Sequence, residues 1–468
     1  MKKLTQKLSF IAMFVALTAC TTTNVDLHSE IELPTSFEQT QSAVGFGEVS
    51  QWWKNWNDAQ LTGLIEQGLQ NNLDVAIARA RLAEAQANTE YTEADKGPTV
   101  SGVAGAGASR SQIRDNPLSG ENYTSSGNSR YAGITASWEL DFFGKKRSDA
   151  DAASALEMSA QDQVHAAQML VASEIGENYF NIFAIQQKSA ILKQYEATLR
   201  HLKNYVQGRF NAGQANANDV LLMESRLSSV QAQQATLNSQ MANSQRTIAV
   251  LIGKTPQGFS INKSVNPLVQ LPKAPAGSMP GDVLERRPDL HSYRNQVQAY
   301  AAKLASAKAD LYPRFDIQFL GGTGRIDLTS DLSDLKGWTG MLSGGITLPI
   351  FTNGRIQANI NAADARLKAA LLQYDKALLQ ALADVDNSYQ AQYELNNQLQ
   401  LLQTASRQAQ SHADNAEKLF RYDEQTLDNA LSARLTALDY QQQVIQARLS
   451  VAQNLIGLYK SLGGGWQE

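Results

Sequence analysis

Apolar and polar positions along this chain follow two different periods, and the order in which the periods occur repeats. Ala132, Ile134, Ala136, Trp138, Leu140 and Phe142 alternate with Gly133, Thr135, Ser137, Glu139 and Asp141. A period of two places one apolar and one polar face on a strand of roughly ten residues. Phe315, Ile317 and Phe319 alternate likewise with Asp316 and Gln318, and Leu342, Ile346 and Leu348 with Ser343, Gly345 and Thr347. The stretch from Val100 to Ser109, built almost wholly of small residues, predicts a fourth strand.

The segments after each strand pair read as very long helices. From Lys145 to about Gln207 there is no proline and Gly176 is the one glycine, and from Arg355 to Tyr422 there is neither. At 1.5 Å per residue each spans roughly 95–100 Å, and a helix of that length needs partners along its side. In the second, Leu367, Leu371, Tyr374, Leu378, Leu382, Val385 and Tyr389 form a stripe over 22 residues in six steps. The mean step of about 3.67 is that of an 11-residue repeat, which keeps a helix almost straight with a slight right-handed supercoil. Staves of a wide tube need that straightness; one long hairpin packed on itself would carry the same stripe. Ala405, Ala409, Ala413 and Ala416 continue it with side chains small enough for close helix approach. Returning helices are expected from about Asn218 to Ile252 and Asn429 to Leu462, with Asn216 or Asn218 and Asp428 or Asn429 as caps.

Shorter helical stretches precede each strand pair: Leu61 to Asp95, ending at Gly97-Pro98, and Pro280 to Leu311, ending at Tyr312-Pro313. Proline breaks the helix at both ends. The chain therefore reads as a tandem duplication of mixed α+β class. Residues 1–19 form a leader and 20–60 a lipidated amino-terminal segment. Residues 61–253 are the first repeat, 254–279 a linker, 280–462 the second repeat and 463–468 a tail.

Strands with one apolar and one polar face suit an outer-membrane barrel around a watery lumen. Four of them cannot close, because the smallest such barrels have eight strands and an open edge in lipid leaves backbone groups unpaired. The barrel is expected to be shared between chains, with eight strands from a dimer or twelve from a trimer.

Composition narrows the chemistry. The 468 residues are 43% apolar and 18% charged, which excludes a disordered chain. With 41 basic against 45 acidic residues there is no basic footprint for nucleic acid. The 1 Cys excludes a disulfide framework, and the 5 His show no close metal spacing. Gly253-Lys254-Thr255 ends like a phosphate-binding loop, but Ile248 stands where its first glycine belongs, so it reads as a helix terminus. Glu174 and Glu177 share a helix face with no nucleophile or oxyanion motif beside them. Neither an enzyme nor a bound cofactor or metal is expected. Lys2, Lys3 and Lys7 precede an apolar run from Leu8 to Ala19 that is too short to span a bilayer and reads as a signal peptide. It ends in Leu17-Thr18-Ala19-Cys20, which resembles the lipobox at which a signal peptidase cuts before the cysteine. Cys20 is the expected site of a diacylglycerol and an N-acyl chain, since several chains hold a protein at a membrane where one does not. Thr21 in place of an aspartate favours sorting to the outer membrane.

Six segments, in order, resemble the outer-membrane factor family of TolC-like export ducts, in its lipoprotein branch typified by NodT and OprM. They are Gln51-Trp52-Trp53 with Trp56 and Leu61, followed by Asn71-Asn72-Leu73-Asp74; Leu140-Asp141-Phe142-Phe143-Gly144; Phe210-Asn211-Ala212-Gly213 through Asp219-Val220; Leu284-Glu285-Arg286-Arg287-Pro288-Asp289-Leu290; Ala307 with Tyr312-Pro313; and Pro349-Ile350-Phe351. The resemblance covers nearly the whole mature chain. It implies a homotrimer with a 12-stranded barrel in the outer membrane of a Gram-negative bacterium and an α-helical, coiled-coil tunnel in the periplasm. The implied partners are outer-membrane lipid, a periplasmic adaptor protein and an inner-membrane multidrug transporter that pushes drugs or other toxic amphiphiles through. A duct for type I polypeptide secretion, or a lipid-anchored periplasmic scaffold, would be the alternatives. At the second periplasmic turn Gln425 replaces the family's turn glycine, Leu427 stands where a gating arginine occurs, and Leu431 or Arg434 where constricting aspartates occur. The resemblance therefore nominates Tyr422, Asp423, Glu424, Asp428, Ala430, Leu431 and Arg434 as gate candidates. Ala430, Leu431 and Arg434 would line the constriction, while Arg421, Asp423, Glu424 and Asp428 supply polar links, with Asp428 a partner for Arg434.

Overall fold

The structure, a computed structural model, describes residues 31–38, 45, 48–113, 123–262, 266–276, 279–328 and 335–466. The leader and Cys20 lie outside these residues. A short 3₁₀ turn, Trp52–Trp56, leads into α1 (Ala59–Asn71), α2 (Leu73–Ala94), β1 (Thr99–Ile113), β2 (Tyr123–Leu140), α3 (Lys145–Asn211) and α4 (Ala217–Leu251). The same order then recurs as α5 (Pro280–Arg286), α6 (Pro288–Ala309), β3 (Arg314–Leu328), β4 (Leu335–Thr347), α7 (Arg355–Arg421) and α8 (Leu427–Ser461). The outgoing helices are both 67 residues long and the returning ones both 35. Each hairpin boundary in the second repeat (355, 421, 427, 461) lies 210 after its counterpart in the first (145, 211, 217, 251).

One compact unit combines residues 83–159 and 294–373. Its centre is an antiparallel sheet in the order β1-β2-β3-β4, so the two repeats meet where β2 pairs with β3. The register gathers Val100, Ile134, Trp138, Ile317, Phe319, Leu342 and Ile346 on one face, and Ser101, Ser137, Thr135, Gln318, Ser343 and Thr339 on the other. Where strand gives way to helix, Phe142 meets Phe315 edge-on at 5.0 Å and Phe143 stacks on Tyr312 at 4.8 Å. Asp310 receives Lys145 and Arg314, both at 2.6 Å. Burial raises its carboxyl, but those two cations outweigh burial and hold it below the usual aspartate value.

The strands are longer than the alternation predicts. β2 extends back to Tyr123 through Thr124, Ser125, Ser126, Gly127, Asn128 and Ser129, where small polar residues carry no apolar period and the ladder with β1 and β3 alone defines the strand. The short helical stretches are each divided: at Asn72, whose side-chain oxygen accepts from the Asp74 and Val75 N–H groups, and at Arg287, which the following Pro288 holds in an extended conformation.

The other unit combines residues 30–82, 160–293 and 374–468. Trp52, Trp53 and Trp56 are buried, with Trp52 stacked on Tyr459 at 6.2 Å and Trp56 against Phe180 at 5.2 Å. Gly176 is required in α3 because a Cβ there would meet the Trp52 indole at 2.7 Å. Asp58 caps α1 by accepting from the backbone N–H groups of Gln60 and Leu61, and its other oxygen accepts from the Tyr179 hydroxyl. Burial and that bond to Asp58 push the Tyr179 phenol well above its ordinary value. The linker passes this core with Gly45 and Ala274 joined by a backbone bond, as are Ala276 and Gly45. On α7 the buried positions between Ile360 and Gln392 are Ile360, Ala363, Leu367, Ala370, Leu378, Ala381, Val385, Tyr389 and Gln392, while Leu371, Tyr374 and Leu382 are half-buried. The stripe thus turns nearer the ordinary 3.6-residue period than the 11-residue repeat suggests, because alanines share the inward positions with the large residues. Among the described residues no helix is long and apolar enough to cross a membrane.

Candidate functional site at the hairpin turns

The two long hairpins reverse direction with the same backbone. In the first, Gly213 has φ +71 and its N–H bonds to the Phe210 carbonyl, while the Gln214 N–H reaches the Arg209 carbonyl at 2.8 Å. In the second, Asp423 has φ +60, its N–H bonds to the Phe420 carbonyl, and the Glu424 N–H reaches the Leu419 carbonyl at 2.9 Å. This helix-ending motif satisfies carbonyls that would otherwise lack donors, and its left-handed residue is usually glycine. The residue that takes the glycine's place is therefore Asp423, not Gln425. The caps differ as well. Asn216 accepts from the Asp219 N–H and Asp219 accepts from the Asn216 N–H, a reciprocal box. α8 is capped by Thr426, which accepts from the Asn429 N–H, in place of the expected Asp428 or Asn429. Asp428 instead occupies the first turn of α8, where its charge complements the helix dipole.

Side chains tie the two turns together. Arg209 donates to Asp423 at 2.6 Å and its guanidinium lies 5.9 Å from the Tyr205 ring centroid. Tyr205 in turn meets Phe420 edge-on at 5.6 Å. Deeper in the second hairpin, Arg434 reaches Glu417 at 2.6 Å and Asp414 at 3.0 Å, and Arg421 donates to the other oxygen of Glu417 at 2.6 Å. Asp428 is not the partner of Arg434. Six positions apart on one helix, the two lie beyond the reach of i±3 and i±4 neighbours, whereas α7 presents its carboxylates across the hairpin.

Ala430 and Leu431 are 3% and 2% exposed and pack with Leu192, Leu199, Leu202, Met223 and Phe420. They are interior contacts within the chain, in contrast to Tyr422, which is 78% exposed beyond the end of α7. Glu424 and Asp428 are exposed, and Glu424 contributes through its backbone N–H. The residues that sequence reasoning passed over are Arg209, Asp414, Glu417 and Tyr195. The i,i+4 spacing of Glu417 and Arg421 was visible, but pairing across a hairpin needs its register. Equal spacing of the repeats, with Arg434 opposite the position of Glu224 and Glu417 opposite that of Gln207, is the signal that could have supplied it.

Beside Arg434 a small polar cavity of about 130 Å³ is lined by Gln194, Tyr195, Thr198, Gln410, Leu438 and Gln441, among others. The buried Tyr195 hydroxyl has no hydrogen-bond partner among the described residues. Burial pushes its phenol up to about 12, opposed by the charges of Arg226 and Arg434. Among the described residues no three His, Cys, Asp or Glu side chains converge as a metal site would need.

This fold and sequence have relatives. Residues 64–254 and 279–464 match the family described as outer membrane efflux protein. The chain is 29% identical to the pyoverdine export outer membrane protein OpmQ of Pseudomonas aeruginosa, over 99% of this chain and 97% of that one. It is 25% identical to the cation efflux system protein CusC of Escherichia coli, over 99% of each. Among solved structures, the outer-membrane channel OprN superposes with a TM-score of 0.84 at 24% identity, covering 95% of this chain and 99% of that one. The CmeC outer membrane channel of Campylobacter jejuni gives 0.81 at 22%, covering 94% of each. The fold is therefore the one that the six sequence segments pointed to. With well over half of its residues inside the two matched stretches, the chain belongs to the outer membrane efflux protein family.

Proposed function

We propose that this protein is the outer-membrane exit duct of a tripartite efflux pump, conducting small amphiphilic or toxic compounds passively and catalysing nothing itself. The observation that carries the reading is the two-faced sheet of β1 to β4, apolar on one side and polar on the other, continued by 67-residue helices in a chain of this family. Four strands need partners to close, and three chains supply twelve. The working form is a homotrimer, served by a periplasmic adaptor and an inner-membrane transporter. Export of pyoverdine by OpmQ and of cations by CusC marks small solutes as the cargo class. Cys20 carries the diacylglycerol and N-acyl chain that anchor the mature amino terminus, which mass measurement of that terminal peptide reads directly. The second turn, from Arg421 to Arg434, closes the periplasmic end. Asp423 and Arg434 hold it through Arg209, Asp414 and Glu417, with Tyr422, Glu424 and Asp428 exposed around it and Ala430 and Leu431 packing it.

Single-channel conductance in planar bilayers tests this. The wild-type protein should conduct weakly, and a variant combining Arg209→Ala with Arg434→Ala should conduct more. Absence of both conductance and a stable oligomer in either form would overturn the duct in favour of a scaffold.

A further inference from the structure

The apolar face of the sheet ends in a row of cations. The register sets Arg130 of β2 opposite Arg325 of β3, and Arg325 opposite Lys336 of β4. All three are exposed. Like charges directly opposite one another destabilise a sheet. Asp327, two positions along β3, pairs with Arg325, but no carboxylate among the described residues pairs with Arg130 or Lys336.

The distance of this row from the opposite end of the strands is informative. Leu140, Phe315 and Ile346 form another cross-strand row on the same face, ten residues from Arg130, Arg325 and Lys336 along each strand. Between the rows this face holds Ala132, Ile134, Ala136 and Trp138 on β2, Ile317, Phe319, Gly321 and Thr323 on β3, and Trp338, Gly340, Leu342 and Gly344 on β4, with no charge. Ten residues at about 3.3 Å each, on strands tilted by about 40°, rise roughly 25 Å, the height of the apolar band of an outer-membrane barrel. Aromatic residues mark both borders: Phe142, Phe143, Tyr312 and Phe315 at one end, and the exposed Trp338 just inside Lys336 at the other. The cations thus stand where hydrocarbon gives way to headgroups. They lie at the end away from the helices, which on the duct reading is the outer leaflet.

We propose that Arg130, Arg325 and Lys336 together bind a phosphate of an anionic glycolipid headgroup in the outer leaflet. The inference rests on the duct reading, which puts the strands in the outer membrane. A phosphate offsets the charge of Arg130 and Lys336, which no carboxylate among the described residues offsets, and reaches Arg325 beside its pair with Asp327; arginine presents a donor fork that matches phosphate oxygens. The lipid's acyl chains then lie along Trp338, Leu342 and Ile134 on the same face.

The test is native mass spectrometry of the delipidated full-length protein, titrated with bisphosphorylated lipid A, dephosphorylated lipid A or inorganic phosphate, beside the triple variant R130Q/R325Q/K336Q. The wild type should prefer the bisphosphorylated lipid, and the triple variant should weaken it roughly a hundredfold, about fivefold for each cation removed. The pair Arg130→Lys and Arg325→Lys keeps the charge and should restore most of the binding, which a merely structural role would not do. Equal binding by wild type and triple variant, equal binding of dephosphorylated lipid, or displacement of the lipid by inorganic phosphate would each overturn the proposal. Conductance of the same preparations separates the two readings. A protein that conducts normally but shows no phosphate preference sinks only the lipid site, whereas one that never inserts sinks the duct.

Discussion

The two repeats share a backbone and differ in how they satisfy it. At the bend between the short helices, Asn72 in the first repeat accepts from the Asp74 and Val75 N–H groups and donates to the Leu251 carbonyl at 2.9 Å. In the second, Arg287 donates to both oxygens of Asp289, lies 3.6 Å from Asp384 and reaches the Ser461 carbonyl at 3.5 Å. Leu251 and Ser461 are counterparts, each the last residue of a returning helix. One neutral amide in the first copy does the work of an ion-pair network in the second. The hairpins repeat this contrast. Gly213 faces Asp423 in the comparison of turns, and Lys203–Glu224 in the first hairpin is answered by Arg434 with Asp414 and Glu417, with the charges exchanged between outgoing and returning helix. Packing near the tips differs too. Leu202, Val206 and Met223 of the first hairpin pack with Phe420, Leu427 and Leu431 of the second, while Ala413, Ala416, Ala433 and Ala437 form a separate cluster within the second alone. The two copies keep the same main-chain geometry and hold it with different side-chain partners.

The bends should separate the repeats most. Arg287→Met removes a buried guanidinium from Asp289 and Asp384, whose carboxylates keep contact with water, and should cost about 2–3 kcal/mol, the lower end of what loss of one partner of a buried pair does. Asn72→Ala removes a cap and one bond to a buried carbonyl and should cost about 1–2 kcal/mol. Denaturant midpoints followed by helical circular dichroism compare the two; equal costs would erase the distinction.

Acid sharpens the same comparison. Burial alone would raise the Asp289 carboxyl, but the hydrogen bonds and charge of Arg287, helped by the Leu290 N–H, outweigh it and hold the group below its ordinary value. A carboxylate depressed on folding stabilises the fold above its unfolded value, about 4, and that contribution is lost as pH falls through the folded value. The gap in midpoint between wild type and Asp289→Asn should therefore be full at neutral pH and shrink on acidification. Asn72 has nothing to titrate, so the gap for Asn72→Ala should stay level over the same range. A level gap for Asp289→Asn would show that the aspartate acts by shape alone.

How much of this was readable in the sequence follows from what each signal depends on. The long helices were legible because proline and glycine are absent over distances no loop would sustain, and the strands were legible where Ile134, Trp138, Phe315 and Ile317 alternate. Thr124 to Ser129 were not, since a strand of small polar residues is specified by its neighbours' ladder and has no period of its own. The turn residues were found as a region, but their partners were missed. Arg209 meets Asp423 and Glu417 meets Arg434 only after two hairpins fold, and linear spacing carries no record of that register. Asp423 was read as a polar link, while its left-handed backbone was hidden because aspartate, unlike glycine, does not announce it.

Within the hairpins the expected effects are smaller. Glu417 is half-buried and serves two arginines, so Glu417→Gln should cost about 1 kcal/mol and raise conductance. Its counterpart test, Glu224→Gln, loses one more exposed pair with Lys203 and should change stability by no more than about 0.5 kcal/mol. Added salt should narrow the difference for Glu224 more than for Glu417, because screening acts most on exposed charges. Equal changes in conductance would remove any special role for the second hairpin.

The smallest and most discriminating effect concerns Asp423, where turn geometry and charge act in opposite directions. A left-handed conformation is easiest for glycine and disfavours alanine by about 1 kcal/mol, while asparagine tolerates it. The exposed pair with Arg209 is screened by solvent and contributes little to stability. Asp423→Gly should thus be as stable as the wild type, Asp423→Asn close to it, and Asp423→Ala the least stable. All three lose the ion pair to the first turn; the glycine and alanine variants, which also lose the acceptor, should conduct alike, as should Arg209→Ala, which leaves the turn backbone untouched. If conductance instead tracks stability, rising only in the alanine variant, then the turn's conformation and not its charge holds the tip closed. Gly213→Ala, which strains the first turn without touching a charge, should in that case open the duct as well.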